Sequence, residues 1–403
     1  MATDTAMSPR LLEPFDAAQA ADMLRDANQA GQAIVIRGHG TKANWGAPPS
    51  RVDAVLSVAA LREPVDHCAG DLTVTAAAGV SFGDLNAYLA REGQWLPLDP
   101  LAGGSSTVGG LLATNDSGPR RVRYGAPRDL VIGVECILAD GRRAKAGGRV
   151  VKNVAGYDLC RLLCGSFGSL ALITSATFKL SPLPPASRTV SIVVDSRDAF
   201  AAVSRAVAGA AVVPSAFELQ AESSTPIPRI LIRFETTAAA ADAQAGQVIE
   251  IAGALGAKAQ VLQDAAEESA WARHAGISAR PTSALLRLNL PSASVAMATD
   301  IIASKCLEYG LEFHLAGRIP MGALLLAVDG QAAAIAGFAT TLREWTAARS
   351  GYVAVLSGPP AVSASVATWN DVGMAATRVM RAIKAQFDPH GTLCSGGGPA
   401  GVA

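Results

Sequence analysis

The sequence predicts an α+β chain of two domains, on three observations. A run poor in side chains, PLDPLAGGSSTVGGLLATNDSG over 97–118, carries glycines and hydroxyls with almost no charge before Asp116. A proline cluster, Pro182, Pro184 and Pro185, then interrupts the chain, as happens at domain boundaries. Beyond it the order β-α-β-β-α-β is spelled twice, the signature of two tandem ferredoxin-like units. The domains are therefore expected over 1–185 and 186–403, the second with a closing helix.

Half of the 403 residues are hydrophobic and 17% are charged, which supplies apolar material for two or three cores and argues against a disordered majority. Lys plus Arg equals Asp plus Glu at 34 each, so the chain has no field to steer nucleic acid or an anionic membrane. The six cysteines, Cys68, Cys136, Cys160, Cys164, Cys306 and Cys394, stand singly except for one C-x3-C pair in an apolar stretch. With no second cluster to complete a zinc or iron–sulfur site, they are expected as reduced core thiols of a cytoplasmic protein, and no metal is expected. The first residues lack a basic-then-apolar leader and no apolar run reaches spanning length. No transmembrane segment is expected, so any peripheral attachment to an inner membrane would run through partners.

In chain order, 14–30 is alanine-rich with Phe15, Ala18, Met23 and Leu24 spaced for one helical face, and 33–37 (AIVIR) is a short buried strand. Segments 52–58 and 71–79 are strands by β-branched content. Ser81 and Asp84 form an S-x-x-D helix start, with Gly93 as the stop. The stretch 130–138 is a buried strand turned back at Asp140-Gly141. Residues 156–182 give a helix, a tight G-S-F-G turn and a strand. In the second domain, helices are expected over 197–208, 238–255, 293–309 and 331–348, each flanked by strands, before a last helix over 373–386. His67 and His390 are expected in surface loops, and His314 in a strand with a structural role.

Two turns hold the chemistry. The run 97–118 contains Gly103, Gly104, Gly109, Gly110 and Gly118 together with Ser105, Ser106, Thr107, Thr114, Asn115 and Ser117. Glycine lets a backbone approach a ligand closely, and hydroxyls and amides are what a diphosphate or a flavin edge needs. A solvated linker would have no use for Leu101, Val108, Leu111 and Leu112, so a packed loop is expected. The second turn, Arg37-Gly38-His39-Gly40-Thr41-Lys42-Ala43-Asn44-Trp45-Gly46, follows a strand but matches neither common nucleotide fingerprint: its third glycine comes too late, and no G-K-[ST] ends it.

Taken together, R-G-x-G-T…G at 37–46, LPLDPLAGG…TVGG…ATNDSG…RYG at 96–125, VECILADG at 134–141, KN-x-x-GYDL-x-x-L-x-x-GS-x-G-x-L-x-x-IT at 152–174 and the terminal FDPHGTL resemble the PCMH-type FAD domain of the vanillyl-alcohol oxidase superfamily. Within it, size and second-half pattern are most similar to the FAD-binding E-type subunits of glycolate oxidase (glycolate dehydrogenase). The resemblance implies an FAD domain of two α+β subdomains followed by a ferredoxin-like cap. It implies that Arg37, Gly38, His39, Gly40, Thr41, Lys42 and Gly46 wrap the pyrophosphate. Pro100, Gly104, Ser105, Thr107, Gly109, Gly110, Asn115, Ser117 and Gly118 would line the diphosphate, ribityl and flavin, and Ile173 would touch the adenine end or the adjoining backbone. Relatives that tether the flavin do so through a histidine at the place held here by Thr41, so non-covalent FAD is expected.

The metal-holding G-H-x-G-D-G-N-x-H stretch of catalytic relatives is absent, and His39, His67, His274, His314 and His390 stand apart in the sequence. Glu268-x-x-Trp271-x-Arg273 is similar to a signature that relatives place near the flavin, which would let Arg273 pair with a substrate carboxylate; an ordinary solvated helix face is the preferred alternative. The function implied is that of an FAD-dependent oxidoreductase component. It would work with a D-type flavoprotein subunit and an F-type iron–sulfur subunit in the oxidation of a small 2-hydroxy acid, glycolate to glyoxylate. An FAD-holding scaffold and a stand-alone FAD oxidase are the alternatives.

Overall fold

The computed structural model describes residues 9–149, 158–279 and 284–393. Residues 152–157, the start of the motif at 152–174, and Cys394 lie outside the described residues. The chain divides into two compact units: 1–117, 126–183 and 371–403 form unit 1, and 118–125 with 184–370 form unit 2.

Unit 1 opens with β1 (Arg10–Leu12), α1 (Ala17–Gln29), β2 (Ile34–Arg37) and β3 (Ala54–Ser57). The three strands form a parallel sheet in the order β1-β3-β2. Asp16 caps α1 by accepting from the Gln19 amide, and Ala20, Ala21, Leu24 and Ala27 turn inward onto Ile34, Ala54 and Leu56. Next come β4 (Val65–Cys68), β5 (Thr73–Ala77), α2 (Phe82–Leu89), β6 (Gln94–Trp95) and α3 (Val108–Thr114). A short turn, α4 (Arg121–Tyr124), belongs to unit 2; it is followed by α5 (Pro127–Leu130), β7 (Val131–Ile137), β8 (Arg143–Gly147), α6 (Leu159–Leu163), β9 (Leu172–Lys179) and β10 (Ser181–Pro182). The second sheet is antiparallel in the order β4-β5-β9-β7-β8, with β6 and β10 as a separate pair. Its core joins Val74, Ala76 and Phe178 to Phe82, Leu85 and Leu89 of α2 and Val108, Leu111 and Leu112 of α3.

Unit 2 contains β11 (Ala186–Val193), α7 (Arg197–Ala208), β12 (Ala216–Glu222), β13 (Thr225–Thr236), α8 (Ala238–Ala254), β14 (Lys258–Leu262), α9 (Asp264–Ala275), β15 (Ala284–Asn289), α10 (Val295–Tyr309), β16 (Glu312–Arg318), β17 (Ala323–Asp329), α11 (Ala332–Ala347), β18 (Tyr352–Ser357) and α12 (Pro360–Ser365). Its eight strands form one antiparallel sheet in the order β14-β11-β13-β12-β16-β17-β15-β18. Each four-strand half has the 4-1-3-2 order of a ferredoxin-like unit, and the halves join where β12 pairs with β16. Period-2 alternation places Val190, Ile192, Phe217, Leu219, Ile230, Ile232 and Phe234 in one core with Phe200, Val203 and Val207 of α7. Each such side chain contributes about 1.5–3 kcal/mol on burial. Residues 118–125 are held in this unit by Arg120, which donates to both oxygens of Glu235 at 2.7–3.1 Å.

Three expectations require correction. The run 97–118 is not all loop: Thr107 caps α3, Val108, Leu111 and Leu112 supply its buried face, and Asn115 ends it in the left-handed region. His67 lies in β4 instead of a loop, half-buried, with Nε2 2.9 Å from Gln94 Oε1. The closing helix, α13 (Met374–Phe387), packs with unit 1 and not with the second domain. The reason is Lys384, whose buried Nζ donates to Ser169 O at 2.8 Å, Leu393 O at 2.7 Å and Asp388 Oδ2 at 2.7 Å. Asp388 also accepts the amides of Thr392 and Leu393, so FDPHGTL is a folded latch beside β2.

Candidate functional site

A cavity of about 130 Å³ in unit 1 is walled by both glycine turns. Of the residues expected at the site, Arg37, Gly38, Gly40, Thr41 and Lys42 line it from the first turn, Thr107, Gly109 and Gly110 from the second, and Ile173 from β9. The remaining wall is largely apolar, with Val35, Ile36, Val58, Ala113, Phe167 and Ala171 beside Trp45 and Thr114. The first turn leaves β2 as the strand ends, and Gly40 and Gly46 take φ of +75° and +90°, a region glycine enters without Cβ strain.

The two turns are locked together. A Cβ on Gly38 would meet Thr107 Oγ1 at 2.2 Å, so only glycine passes here. That hydroxyl accepts from the Gly110 amide at 3.2 Å, capping α3. Lys42 is buried as a side chain: Nζ lies 3.0 Å from Asp116 Oδ2 and donates to Ser106 Oγ at 2.9 Å. Asp116 is buried too, and accepts the Leu101 amide at 3.0 Å. Lys42 thus acts as a bolt between the turns, a role for its side chain that the motif did not disclose. Asp116 was missed as a site residue; with Asp99 it is one of only two charges in the run 97–118, and that was the available signal.

Other expected residues stand apart from the cavity lining. His39 is exposed from the turn, with Nδ1 3.0 Å from the carbonyl oxygen of Ser105. Pro100 accepts the Gly103 amide at 2.8 Å in a tight turn. Gly104 packs on Gly83 of α2, where its Cβ would come within 3.2 Å of the Gly83 Cα. Gly109, which does line the cavity, is packed as well, since its Cβ would meet the Ala78 Cβ at 2.8 Å. Asn115 accepts the Arg128 amide at 3.3 Å and lies 3.3 Å from Cys164 Sγ. Burial pushes the Cys164 thiol up to about 12, and burial also raises Cys160, so both are neutral core thiols. Ser117 is buried, while Gly118 falls in unit 2.

Residues 9–147 match a family described as an FAD binding domain. Over those residues the match makes FAD the cofactor of the chain. The chain is 38% identical over 181 residues to glycolate oxidase subunit GlcE of Escherichia coli, covering 44% of this chain and 51% of that protein. It is 32% identical over 213 residues to glycolate oxidase subunit GlcD of Bacillus subtilis (53% and 45%), and 37% identical over 172 residues to a D-lactate dehydrogenase of Archaeoglobus fulgidus (43% and 38%). The matches therefore span about half or less of these relatives' lengths. A solved alkyldihydroxyacetonephosphate synthase has the same fold, with a TM-score of 0.72 at 15% identity over 96% of this chain and 75% of that one.

In unit 2, a second cavity of about 690 Å³ is lined by Arg273 among others. Arg273 is exposed on α9 and donates to Ser269 Oγ at 2.8 Å. No helix among the described residues is long and apolar enough to cross a membrane.

Proposed function

We propose that unit 1 holds FAD non-covalently against its two glycine turns, and that the chain is the FAD-holding subunit of a system that oxidises small 2-hydroxy acids, glycolate first among them. The observation that carries the reading is the two-sided lining of the unit 1 cavity. Gly38, Gly40, Thr41, Thr107 and Gly110 offer close backbone and hydroxyls to a phosphate-bearing segment. Ile36, Val58, Phe167 and Ile173 offer an apolar wall to a ring. The donor set fits a dinucleotide. At about 130 Å³ the cavity is smaller than the roughly 300–1,000 Å³ of sites that enclose a whole ligand. It would take one segment, the rest of the cofactor running past the exposed backbone of Gly103, Gly104 and Ser105.

Bound FAD supplies the acceptor for the hydride equivalent removed from a hydroxyl-bearing carbon. The ionisable residues lining the cavity are Arg37 and Lys42, and Lys42 is committed to Asp116. Neither suits the role of proton acceptor, which supports a base supplied by a D-type flavoprotein partner, with electrons passing to an F-type iron–sulfur subunit. The likeness to chains named glycolate oxidase subunits GlcE and GlcD supports the same assembly. In the cytoplasm, any attachment to a membrane would come through those partners.

The test is anaerobic addition of glycolate or D-lactate to the yellow chain, alone and with the D-type and F-type subunits, while the flavin band is followed. Bleaching only with partners present is expected. Bleaching by the chain alone would make it a stand-alone oxidase; no bleaching in either case would make it a scaffold. A chain that stays colourless after incubation with FAD would overturn the cofactor site itself.

A further inference from the structure

We propose that Lys384 is a positioning residue of the cofactor site: by bracing the turn 165–169 and the end of the chain against β2, it sets how tightly unit 1 holds FAD. The proposal rests on the FAD reading of the unit 1 cavity, whose wall takes Phe167 and Gly168 from that turn and Val35 and Ile36 from β2. Lys384 itself is absent from the lining, and all of these groups belong to unit 1.

The turn is held in a conformation it would not keep by itself. Phe167 has a φ of +55°, in the left-handed region that bulky side chains rarely enter, between Gly165 at +84° and Gly168 at +79°. Such a backbone persists only where its surroundings over-determine it. The Gly165 and Phe167 amides donate to the carbonyls of Leu112 and Ala113 in α3, at 3.1 and 2.8 Å. Within the turn, the amide and hydroxyl of Ser169 both donate to Ser166 O, at 3.0 and 2.7 Å. The carbonyl of Ser169 is in turn the acceptor for the Lys384 ammonium at 2.8 Å.

The same ammonium donates to Leu393 O and Asp388 Oδ2, each at 2.7 Å, and Asp388 orders the Thr392 and Leu393 amides. Thr392 O then accepts the Ile34 amide at 2.7 Å, at the start of the strand that carries Val35 and Ile36 into the wall. One buried charge therefore fixes the apolar wall from two sides. Its loss leaves the Ser169 and Leu393 carbonyls without their donor and Asp388 without its cation, which frees Phe167 to relax towards negative φ and leave the wall. The coupling is reciprocal: a ligand seated on the wall stabilises the latch by as much as the latch stabilises the ligand.

The experiment titrates flavin-free full-length chain with FAD, far below each variant's melting midpoint, in the parent, Lys384→Met, Phe167→Gly and the double variant. Lys384→Met should weaken FAD binding about tenfold, within the range seen between coupled sites, while the far-UV spectrum stays parental. In the Phe167→Gly background the same change should weaken it less than about threefold, because glycine leaves no strain to restrain and no ring to place. Equal affinity in the parent and Lys384→Met, or equal losses in the two backgrounds, would overturn the proposal by making the lysine a matter of stability alone. Should Lys384→Met fail to fold, amide exchange in the parent decides: FAD should slow the Ile34 and Leu393 amides more than those of α2. Exchange at these amides that FAD leaves unchanged, or slows no more than in α2, would overturn it. A parent that takes up no FAD would instead overturn the cofactor reading, and this proposal with it.

Discussion

Asp116→Asn tests the bolt between the two glycine turns with little change of shape. Asparagine is nearly isosteric and its Oδ1 can still accept the Leu101 amide, but it carries no charge. Lys42, with a side chain only 6% exposed, would keep the Ser106 hydroxyl and lose the counter-ion 3.0 Å away. Breaking a buried pair by removing one member costs about 3–5 kcal/mol, chiefly because a charge is left in a poorly solvated place. The surviving Ser106 contact argues for the lower end, about 3 kcal/mol. For a unit of roughly 200 residues that corresponds to a fall of about 6–12 °C in Tm. Two readings check it: thermal melting of the FAD-saturated protein, and flavin remaining after gel filtration. Loss of most flavin alongside the lower Tm is expected, because Lys42 without its counter-ion no longer ties the first turn to the second. The double variant Lys42→Met with Asp116→Asn should recover more than half of the Tm without restoring flavin. A single variant that melts within 2 °C of the parent and stays as yellow would refute the coupling of the two turns.

Gly38→Ala should lose flavin, since its Cβ would meet Thr107 Oγ1 at 2.2 Å and unseat the α3 cap; flavin absorbance per protein after dialysis measures this. Gly109→Val and Gly110→Val both crowd the cavity and should lose flavin, but the first also drives into Ala78 and should lower Tm, while the second should still give the parental far-UV spectrum. Lys384→Met leaves the buried Asp388 without its cation, at a cost of about 3–5 kcal/mol, read as a lower midpoint in urea. Burial works to raise the Glu235 carboxyl, but the Arg120 hydrogen bonds and charge, with Arg233, hold it below its ordinary 4.5. A carboxyl lowered in the folded state stabilises above pH 4.5 and loses that contribution as pH falls through its folded value. Glu235→Gln should therefore flatten the Tm profile of unit 2 between about pH 5 and pH 3, and a profile as steep as the parent's would contradict this.

How much was legible depended on whether a residue's partner is near in sequence. Ser81 at an S-x-x-D start is seen to cap α2 through the Asp84 amide, a three-residue relation that any reader of the chain can make. The doubled strand–helix order in unit 2 was legible because each strand repeats every second residue inward, as Phe217 and Leu219 do. Gly109 and Gly110 looked alike in the sequence and are not alike: both border the cavity, but only Gly109 is also packed on Ala78, thirty-one positions away. Lys384 lies in the last helix, expected over 373–386, and nothing in the sequence marked it; its three oxygen partners are on Ser169, Asp388 and Leu393. His274 read as an isolated histidine because Glu218, 3.0 Å from its Nε2, comes from another element.

These long-range contacts also explain how turns so poor in side chains can bind at all. Fixing one backbone residue costs about 1–2 kcal/mol, so ordering the ten residues 37–46 on binding would consume on the order of 10 kcal/mol, comparable to the whole free energy of a submicromolar complex. Glycine makes that cost worse while giving the close approach that a diphosphate requires. The fold meets the cost before the ligand arrives: the Gly38–Thr107 contact and the Lys42–Asp116 pair anchor the turn at two points, and the Ala43 and Trp45 amides close back on Gly40 and Lys42. On the proposed reading, charge is therefore spent on holding the cradle, and contact with the cofactor would be left to the main chain and to hydroxyls. On that division of labour, the side chain whose loss most reduces flavin affinity need not be one that touches the flavin, and Asp116, absent from the cavity's lining, is the residue in which the two roles are cleanly separated.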